Sequence, residues 1–377
     1  MIPNRPLRVL HAPTMVGGVP QALARAQREI GLESVSMAFS QTRFGYEADL
    51  ILAPTSIGRL ELERRRWAFL ARALRDFDVF HFNAGSSLAP HSEPRRNPTA
   101  RQRVYDWYAS VLELRDLPLM RRLGKAIFVT FQGSDVRQAD VFRARFPVTY
   151  ASELQPNAAS DERKRRTIAL FDRYADGLYA ATPDLLHILP DRTELLPDVT
   201  VDLRDWRPVR GTDNERPLIV HAPSDRTVKG TRHVEAAVER LRSDGIEFEF
   251  EIVEGRTRTD ARRTYERADL LVEQMLLGWY SVLGVELMAL GKPVVTYIRP
   301  EDLALVSPRM RDELPVIPAE PETLYTVLKE WLTTRRQELK AVGHRSRAYV
   351  ERWHDPLDAA ARTRTAYEQA LGRSRTT

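Results

Sequence analysis

Short apolar runs alternate with amphipathic segments along the whole chain of 377 residues, and this alternation constrains the fold more than any other feature. Such a pattern is typical of parallel sheets whose faces are covered by helices. In the first half it predicts strands at residues 7–11, 35–38, 79–82, 126–130, 177–181 and 194–196. The intervening segments predict helices at 20–30, 59–76, 101–117, 162–174 and 183–189.

A second series of the same kind begins at Leu218. Its predicted strands are 218–221, 247–253, 270–272, 293–297 and 316–317, and its helices are 231–242, 259–267, 280–290 and 320–334. The polar stretch 208–217 carries chain breakers and no periodicity, so it is predicted as a linker. We therefore expect an α/β protein of two doubly wound, Rossmann-like domains, 1–207 and 208–355, with parallel sheets that face each other across a cleft. A final helix, 356–377, is expected to cross back to the first domain.

Composition excludes several classes of protein. The absence of cysteine excludes disulfides, thiolate nucleophiles and cysteine-ligated metal sites. No run approaches the roughly 18 apolar residues of a membrane-spanning helix, and the apolar run at residues 7–10 is too short for a signal peptide, which predicts a cytoplasmic protein. The net charge of +5 comes from interleaved basic and acidic residues. This interleaving favours solvated helix faces over a nucleic-acid surface.

The loops that follow the strands form the candidate site, because ligands of open parallel sheets bind beyond the carboxyl ends of the strands. Gly17 and Gly18 separate the first strand from the first helix, where backbone N–H groups can approach an anion. A tight structural turn explains the two glycines equally well. The loop lacks Gly-x-Gly-x-x-Gly spacing, so no dinucleotide cofactor is predicted.

Three charged residues of the second half stand out. Arg226 and Lys229 share one short strand–helix loop, where an arginine and a lysine can clamp a diphosphate. Two solvated loop cations are the simpler interpretation of that loop alone. Glu286 falls on an apolar helix face, where an ionised carboxylate needs a hydrogen-bonding partner. A ribose diol could be that partner, and so could an arginine from a neighbouring helix, which is the commoner case.

The order of these and other motifs resembles that of the GT-B glycosyltransferases of family 4, over essentially the whole chain. The resemblance is carried by residues 229–230, 286–294 and 349–355, with support from 78–82, 130–137 and 174–177. It implies the GT-B fold and a retaining glycosyltransferase of the hexosyltransferase type that needs no metal. The implied donor is a nucleoside diphosphate sugar, with UDP as the expected carrier. The implied acceptor is a hydroxyl group of a glycan, a lipid-linked molecule or a small natural product.

The resemblance also implies roles for individual residues. Arg226 and Lys229 would hold the diphosphate and stabilise the charge that develops on it, Glu286 would bind the ribose, and Gly17 and Gly18 would face the phosphates. The other implied donor-binding residues are Gln132, Glu254, Gly278, Trp279, Tyr280, Ser281 and Val282, of which Trp279, Tyr280 and Ser281 would offer backbone N–H groups.

The chain departs from the family pattern at three donor-sugar contacts. Gly278 stands where the first of two paired glutamates should be, and Glu273 could replace that residue only if the loop bends back. Gln132 and Asn83 stand where histidines are usual. Nucleotide binding is therefore better supported than sugar turnover. Two alternatives stay open: a degraded member that binds nucleotide as a partner or regulatory subunit, and a nucleotide-sugar enzyme of other chemistry, such as epimerisation.

Two weaker signals remain. Asp76 and Asp78 match the Asp-x-Asp of metal-dependent enzymes but lie at a helix-to-strand junction, and the eight histidines lack zinc-site spacing, so no metal is predicted. Residues 101–122 combine aromatic and apolar residues with arginines. This segment could be a peripheral contact with the inner face of a membrane or a surface for the acceptor, although ordinary amphipathic packing is the commoner explanation.

Overall fold

The computed structural model describes residues 5–42, 45–54, 57–92, 98–209 and 214–373. Within these ranges the strands form two parallel sheets, one in each half of the chain, which confirms the predicted doubly wound architecture. Part of the predicted linker, residues 210–213, lies outside the described residues.

In the described part of the first half, seven strands form a sheet of order β3-β2-β1-β4-β5-β6-β7. The strands are β1 (Arg8–Ala12), β2 (Glu33–Ser40), β3 (Leu50–Ala53), β4 (Val79–Phe82), β5 (Ala126–Phe131), β6 (Gly177–Ala180) and β7 (Glu194–Leu195). The helices are α1 (Val19–Glu29), α2 (Arg59–Asp76), α3 (Ala100–Leu112), α4 (Asp116–Arg122), α5 (Ala139–Arg145) and α6 (Ala158–Tyr174). Short 3₁₀ turns occur at Val16–Gly18, Tyr150–Glu153 and Pro183–His187.

The described part of the second half holds a five-stranded sheet of order β12-β11-β10-β8-β9. Its strands are β8 (Leu218–His221), β9 (Glu249–Ile252), β10 (Leu270–Val272), β11 (Val294–Thr296) and β12 (Ile317–Pro318). Its helices are α7 (Arg226–Lys229), α8 (Thr231–Ser243), α9 (Arg258–Arg267), α10 (Val282–Ala289), α11 (Pro300–Leu303), α12 (Pro308–Glu313), α13 (Leu324–Leu332), α14 (Leu339–Trp353) and α15 (Pro356–Arg373). A 3₁₀ turn at Arg336–Glu338 precedes α14. None of the described helices is both long and apolar enough to cross a bilayer.

The last helix, α15, packs against α1 and the first sheet. Buried polar groups join them: Tyr367 is hydrogen-bonded to His81 at 2.5 Å, and the second ring nitrogen of His81 lies 2.7 Å from the Thr130 hydroxyl. We therefore define the N-lobe as β1–β7 with α1–α6 and α15, and the C-lobe as β8–β12 with α7–α14.

Several elements differ from the sequence analysis. The predicted helix 183–189 is a 3₁₀ turn, and β3, α5, α7, α11 and α12 were not predicted. The predicted helix 101–117 is two helices, α3 and α4, because the chain turns at Leu114, whose φ is +59°. Helix α14 was not predicted, since Gly343 interrupts its apolar periodicity. That glycine packs directly against the turn that follows α10, because a Cβ there would lie 2.1 Å from the carbonyl oxygen of Gly291. A close approach of α14 to this turn, which the sequence pattern does not reveal, therefore determines this residue.

Candidate functional site

The two lobes touch where the loop after β1 meets the start of α10. Gly17 and Gly18 have φ values of +58° and +75°. A Cβ on Gly17 would lie 2.8 Å from a methyl group of Val282, and one on Gly18 would lie 3.1 Å from the Tyr46 ring. The Thr200 hydroxyl also donates to the Gly17 carbonyl oxygen at 2.5 Å. The left-handed backbone and the close contacts with Val282 and Tyr46 both require glycine at these two positions. Gly17, Gly18 and Val282 therefore lie together in the cleft between the lobes.

Lys229 is buried in this cleft at the end of α7. Its Nζ donates to Gln274 Oε1 at 2.5 Å and to Ser281 Oγ at 3.0 Å, and it lies 3.8 Å from Glu273 Oε1. Burial lowers the pKa of Lys229, and the nearby Glu273 carboxylate opposes that shift. The predicted diphosphate lysine is thus a buried ammonium that joins the loop after β8 to the start of α10.

The N-terminus of α10 is occupied by Glu273. This carboxylate accepts hydrogen bonds from the Ser281 N–H at 2.9 and 3.1 Å and from the Ser281 hydroxyl. The loop therefore does bend back, and Glu273 takes the place of an anion at the positive end of the helix dipole. The structure thus differs from the prediction that the Ser281 N–H is open to a ligand phosphate, because a carboxylate of the chain already accepts from it.

Glu286 lies further along α10 and is 6% exposed. Arg258, the first residue of α9, donates to Glu286 Oε1 from Nη2 at 2.9 Å and from Nε at 3.2 Å. Burial raises the pKa of Glu286, and Arg258 opposes this effect. Oε2 of Glu286 accepts no hydrogen bond from a described residue, and it is not fully buried, so a ligand can reach it. Glu286 therefore has the arginine partner that the sequence left open and keeps one oxygen free for a ligand.

Arg226 is placed differently from Lys229. Its exposed guanidinium donates to Glu254 at 3.1 and 3.2 Å and to Glu235 at 3.1 Å. The hydrogen bonds to these carboxylates raise the pKa of Arg226. The predicted clamp of Arg226 with Lys229 is not assembled in this structure, because two surface carboxylates already bind the guanidinium. Glu254 is accordingly a surface ion-pair partner here.

A cation that the sequence analysis did not assign, Arg137, lies in the N-lobe part of the cleft. Its Nε donates to Asp184 Oδ2 at 2.7 Å, and its side chain is 10% exposed. Among the charges that act on Lys229, the Arg137 guanidinium also lowers the pKa of that amine. Arg137 belongs to the motif at residues 130–137, but in a chain so rich in arginine its residue type gave no signal.

The position of the missing glutamate is filled. Gly278 has a φ of +86°, and a Cβ there would lie 2.6 Å from the Arg299 guanidinium carbon and 2.8 Å from Asp302 Oδ2. Arg299 pairs with Asp302 at 2.8 Å, and His187 of the N-lobe lies 2.9 Å from the other oxygen of that carboxylate. Gly278 therefore leaves room for a buried ion pair that joins the lobes.

The remaining predicted donor contacts divide into core and cleft residues. Trp279 and Tyr280 pack into the C-lobe core, and the Tyr280 hydroxyl lies 2.9 Å from both the Tyr349 hydroxyl and the His354 ring. Gln132 follows β5, and its Nε2 is buried without a hydrogen-bond partner among the described residues. This side chain is a donor that a ligand could use.

A cavity of about 480 Å³ lies between the lobes. Its lining includes Gly18, Tyr46, Thr200, Trp206 and Arg258. The Arg258 guanidinium carbon lies 5.3 Å from the centre of the Tyr46 ring and 5.4 Å from that of Trp206. A larger cavity of about 1140 Å³ lies elsewhere, at the amino ends of the C-lobe strands. Within the described ranges, no three His, Asp or Glu side chains converge as metal ligands.

The fold of the chain is similar to that of solved structures, although its sequence identity to them is low. No protein-family model and no curated protein sequence matches the chain. Among solved structures, sucrose-phosphate synthase from Thermosynechococcus elongatus aligns with a TM-score of 0.59 at 13% identity, over 98% of this chain and 100% of that one. HepE from Anabaena, in complex with UDP and glucose, gives 0.58 at 12% identity, over 96% and 100%. The catalytic domain of starch synthase IV from Arabidopsis thaliana, bound to ADP and acarbose, gives 0.58 at 10% identity, over 98% and 99%. The chain thus has the two-domain fold of GT-B glycosyltransferase structures.

Proposed function

We propose that the protein is a retaining glycosyltransferase, of the family 4 and hexosyltransferase type, that transfers a sugar from a nucleoside diphosphate sugar to a hydroxyl acceptor. One observation carries the proposal: Lys229 contacts Ser281 at the start of the short helix α10, and Glu286 with its free Oε2 lies in the middle of the same helix. Ser281, which contacts Lys229, precedes Glu286 by five residues, or about 7.5 Å of helix rise. This spacing suits a diphosphate at Lys229 and a ribose at Glu286.

The ligands of two structural neighbours support the same class of ligand. HepE is described in complex with UDP and glucose, and starch synthase IV with ADP and acarbose. For this chain we propose UDP as the carrier and no metal cofactor. The acceptor in the proposal is a hydroxyl of a glycan, a lipid-linked molecule or a small natural product.

The residues fit a reaction in which no enzyme nucleophile is needed. The leaving diphosphate oxygen takes the proton of the acceptor hydroxyl, and the protein supplies positive charge and orientation. Lys229 would supply that charge by exchanging Gln274 for a phosphate oxygen. Gln132 would offer its unpartnered Nε2 to the ligand. Arg226 would join only after leaving Glu254 and Glu235.

Nucleotide release from a panel of UDP-, GDP- and dTDP-sugars tests the proposal. Lys229→Met should lower the rate about 100- to 1000-fold, the usual effect of removing one donor that stabilises developing charge. Lys340→Met is the matched control, since Lys340 is an exposed lysine outside the cleft. Turnover of Lys229→Met close to that of the wild type would contradict the mechanism.

A second candidate is a nucleotide-binding partner subunit without transferase activity. The buried Arg299–Asp302 pair beside Gly278 favours it, since this pair fills the space of a glutamate expected to bind the donor sugar. Such a protein would be stabilised by UDP in thermal unfolding and would release no nucleotide from any sugar donor. Product analysis in the same panel would detect epimerisation, the third alternative.

We also propose that the N-lobe makes a peripheral contact with the inner face of a membrane, in a cytoplasmic protein. Helix α3 exposes Val104, Trp107 and Val111 by 67%, 69% and 48%, at the i, i+3, i+7 spacing of one helix face. Arg101 and Arg103 on the same helix have no ion-pair partner among the described residues. An apolar stripe with unpaired cations matches an anionic lipid surface.

A further inference from the structure

The Arg137 guanidinium is held rigidly by buried groups. Asp184, which is fully buried, accepts from Arg137 Nε at 2.7 Å and from the Thr182 hydroxyl at 2.5 Å. The carbonyl oxygen of Arg137 accepts from Lys164 Nζ at 2.7 Å. Both the backbone and the base of the guanidinium are therefore fixed before any ligand arrives.

The outer end of the same guanidinium is unused. Nη1 and Nη2 of Arg137 donate to no described residue, and neither is enclosed. Gly133, with a φ of +130°, leaves room for them, because a Cβ there would lie 2.8 Å from Nη1 and 3.1 Å from Nη2. Two parallel N–H donors on a fixed, largely buried arginine match the oxygens of a phosphate.

Arg137 also lies against the part of the C-lobe that carries Lys229. Its guanidinium carbon is 5.7 Å from the centre of the Tyr150 ring, and the Tyr150 N–H donates to the Leu276 carbonyl oxygen at 3.0 Å. The neighbouring Met275 N–H donates to the Lys229 carbonyl oxygen at 3.0 Å. A short series of contacts thus connects the N-lobe arginine with the C-lobe lysine.

We propose that Arg137 is the second cation of the diphosphate site, so that the donor phosphates are held between Arg137 of the N-lobe and Lys229 of the C-lobe. This inference rests on the proposed function and assigns to Arg137 the role that the sequence suggested for Arg226. With one cation on each lobe, a bound diphosphate joins the lobes, whereas a nucleoside without phosphates does not. Arg137 therefore discriminates nucleoside diphosphates from nucleosides.

Calorimetric titration with UDP, GDP and dTDP and with the corresponding nucleosides tests this role. Arg137→Met leaves Asp184 buried and unpaired, so the informative variant is Arg137→Met/Asp184→Asn, compared with Asp184→Asn alone. The double variant should bind the diphosphate at least tenfold more weakly than Asp184→Asn does and bind the nucleoside equally well. Arg137→Lys keeps the positive charge but lacks the two parallel N–H donors, so its affinity for the diphosphate should lie between that of the wild type and that of the double variant. Arg165→Met is the matched control, since Arg165 is an arginine of the same lobe paired with Asp140 at the surface.

The outcomes separate the two proposals. Diphosphate affinity of the double variant within tenfold of that of Asp184→Asn, while the wild type binds the diphosphate, overturns the role of Arg137 and leaves the proposed function standing. An equal loss of nucleoside and diphosphate binding also overturns it, because the effect would then be structural. No affinity of the wild type for any of the three diphosphates overturns both proposals.

Discussion

Arg258 and Glu286 form an ion pair that uses only one oxygen of the carboxylate. Both Nε and Nη2 of Arg258 donate to Oε1, at 3.2 and 2.9 Å. Because Glu286 is largely buried, its charge depends on this arginine, and removing one partner of such a pair is usually costly. The free Oε2 is what makes the pair compatible with a ribose hydroxyl.

Glu286→Gln should weaken UDP binding about 10- to 100-fold, because a hydrogen bond to a charged group contributes about 1.5–3 kcal/mol. Calorimetric titration measures the effect, with Glu266→Gln as control, since Glu266 lies near the other end of α9 and pairs with Arg262 at 2.8 Å. A UDP analogue without both ribose hydroxyls should bind Glu286→Gln and the wild type about equally. An unchanged affinity of Glu286→Gln for UDP would remove Glu286 from the ribose site.

Restoring the family residue at position 278 should destabilise the protein. Glu at Gly278 needs a Cβ in the space of the Arg299 guanidinium and a left-handed backbone, which together should cost several kcal/mol of unfolding free energy. Urea denaturation measures the change. Gly255→Glu is the control, since Gly255 has a φ of +65° but nothing within 4 Å of its Cβ position. A stable Gly278→Glu variant with raised transfer activity would contradict this structural account.

The alternation of apolar runs predicted both sheets because fully buried parallel strands must be apolar throughout. The strand β3 was missed, since its residues at Leu50–Ala53 form a short edge strand that is only partly buried. The apolar helix face around Glu286 likewise predicted a buried carboxylate with a partner, and the structure has one. In these cases local pattern and tertiary structure depend on the same quantity, the burial of each residue.

The identity of that partner could not be predicted. Arg258 precedes Glu286 by 28 residues and reaches it only because the first residue of α9 lies beside α10 in the folded C-lobe. Arg137 and Lys229 approach each other from different lobes, so their relation depends on how the lobes meet. The Arg299–Asp302 pair beside Gly278 is a third case, in which the sequence shows a missing residue but not what fills its place.

The exposed stripe of α3 should bind anionic vesicles. Sedimentation with vesicles that contain phosphatidylglycerol should retain the wild-type protein, and phosphatidylcholine alone should not, because Arg101 and Arg103 add electrostatic attraction to apolar insertion. Val104→Ser/Trp107→Ser should lose most of the bound fraction. Leu357→Ser, which removes an apolar side chain 41% exposed on α15, is the control. Wild-type protein that stays in the supernatant with anionic vesicles would exclude the membrane contact.

Asp198 should make the stability of the protein fall as the pH rises towards neutrality. This residue follows β7 and lies near Tyr280 and His354, and its Oδ1 has no hydrogen-bond partner in the described part of the chain. Burial raises the pKa of Asp198 to about 7, whereas an unfolded aspartate titrates near ~3.9. Between these values the folded state holds a proton that the unfolded state has lost. The free energy of unfolding therefore decreases with pH across this window, by about 4 kcal/mol in total.

Asp198→Asn isolates this contribution. Since asparagine does not ionise, the variant should gain stability relative to the wild type as the pH rises from about 4 to about 7. Urea denaturation at several pH values measures the difference, with Asp205→Asn as an exposed control. The pKa of His354 is lowered by burial to about 4, so His354 destabilises the protein as the pH falls below ~6.5. That opposite effect is present in both proteins and cancels in the comparison. Parallel pH profiles for Asp198→Asn and the wild type would show that Asp198 is ionised in the folded protein.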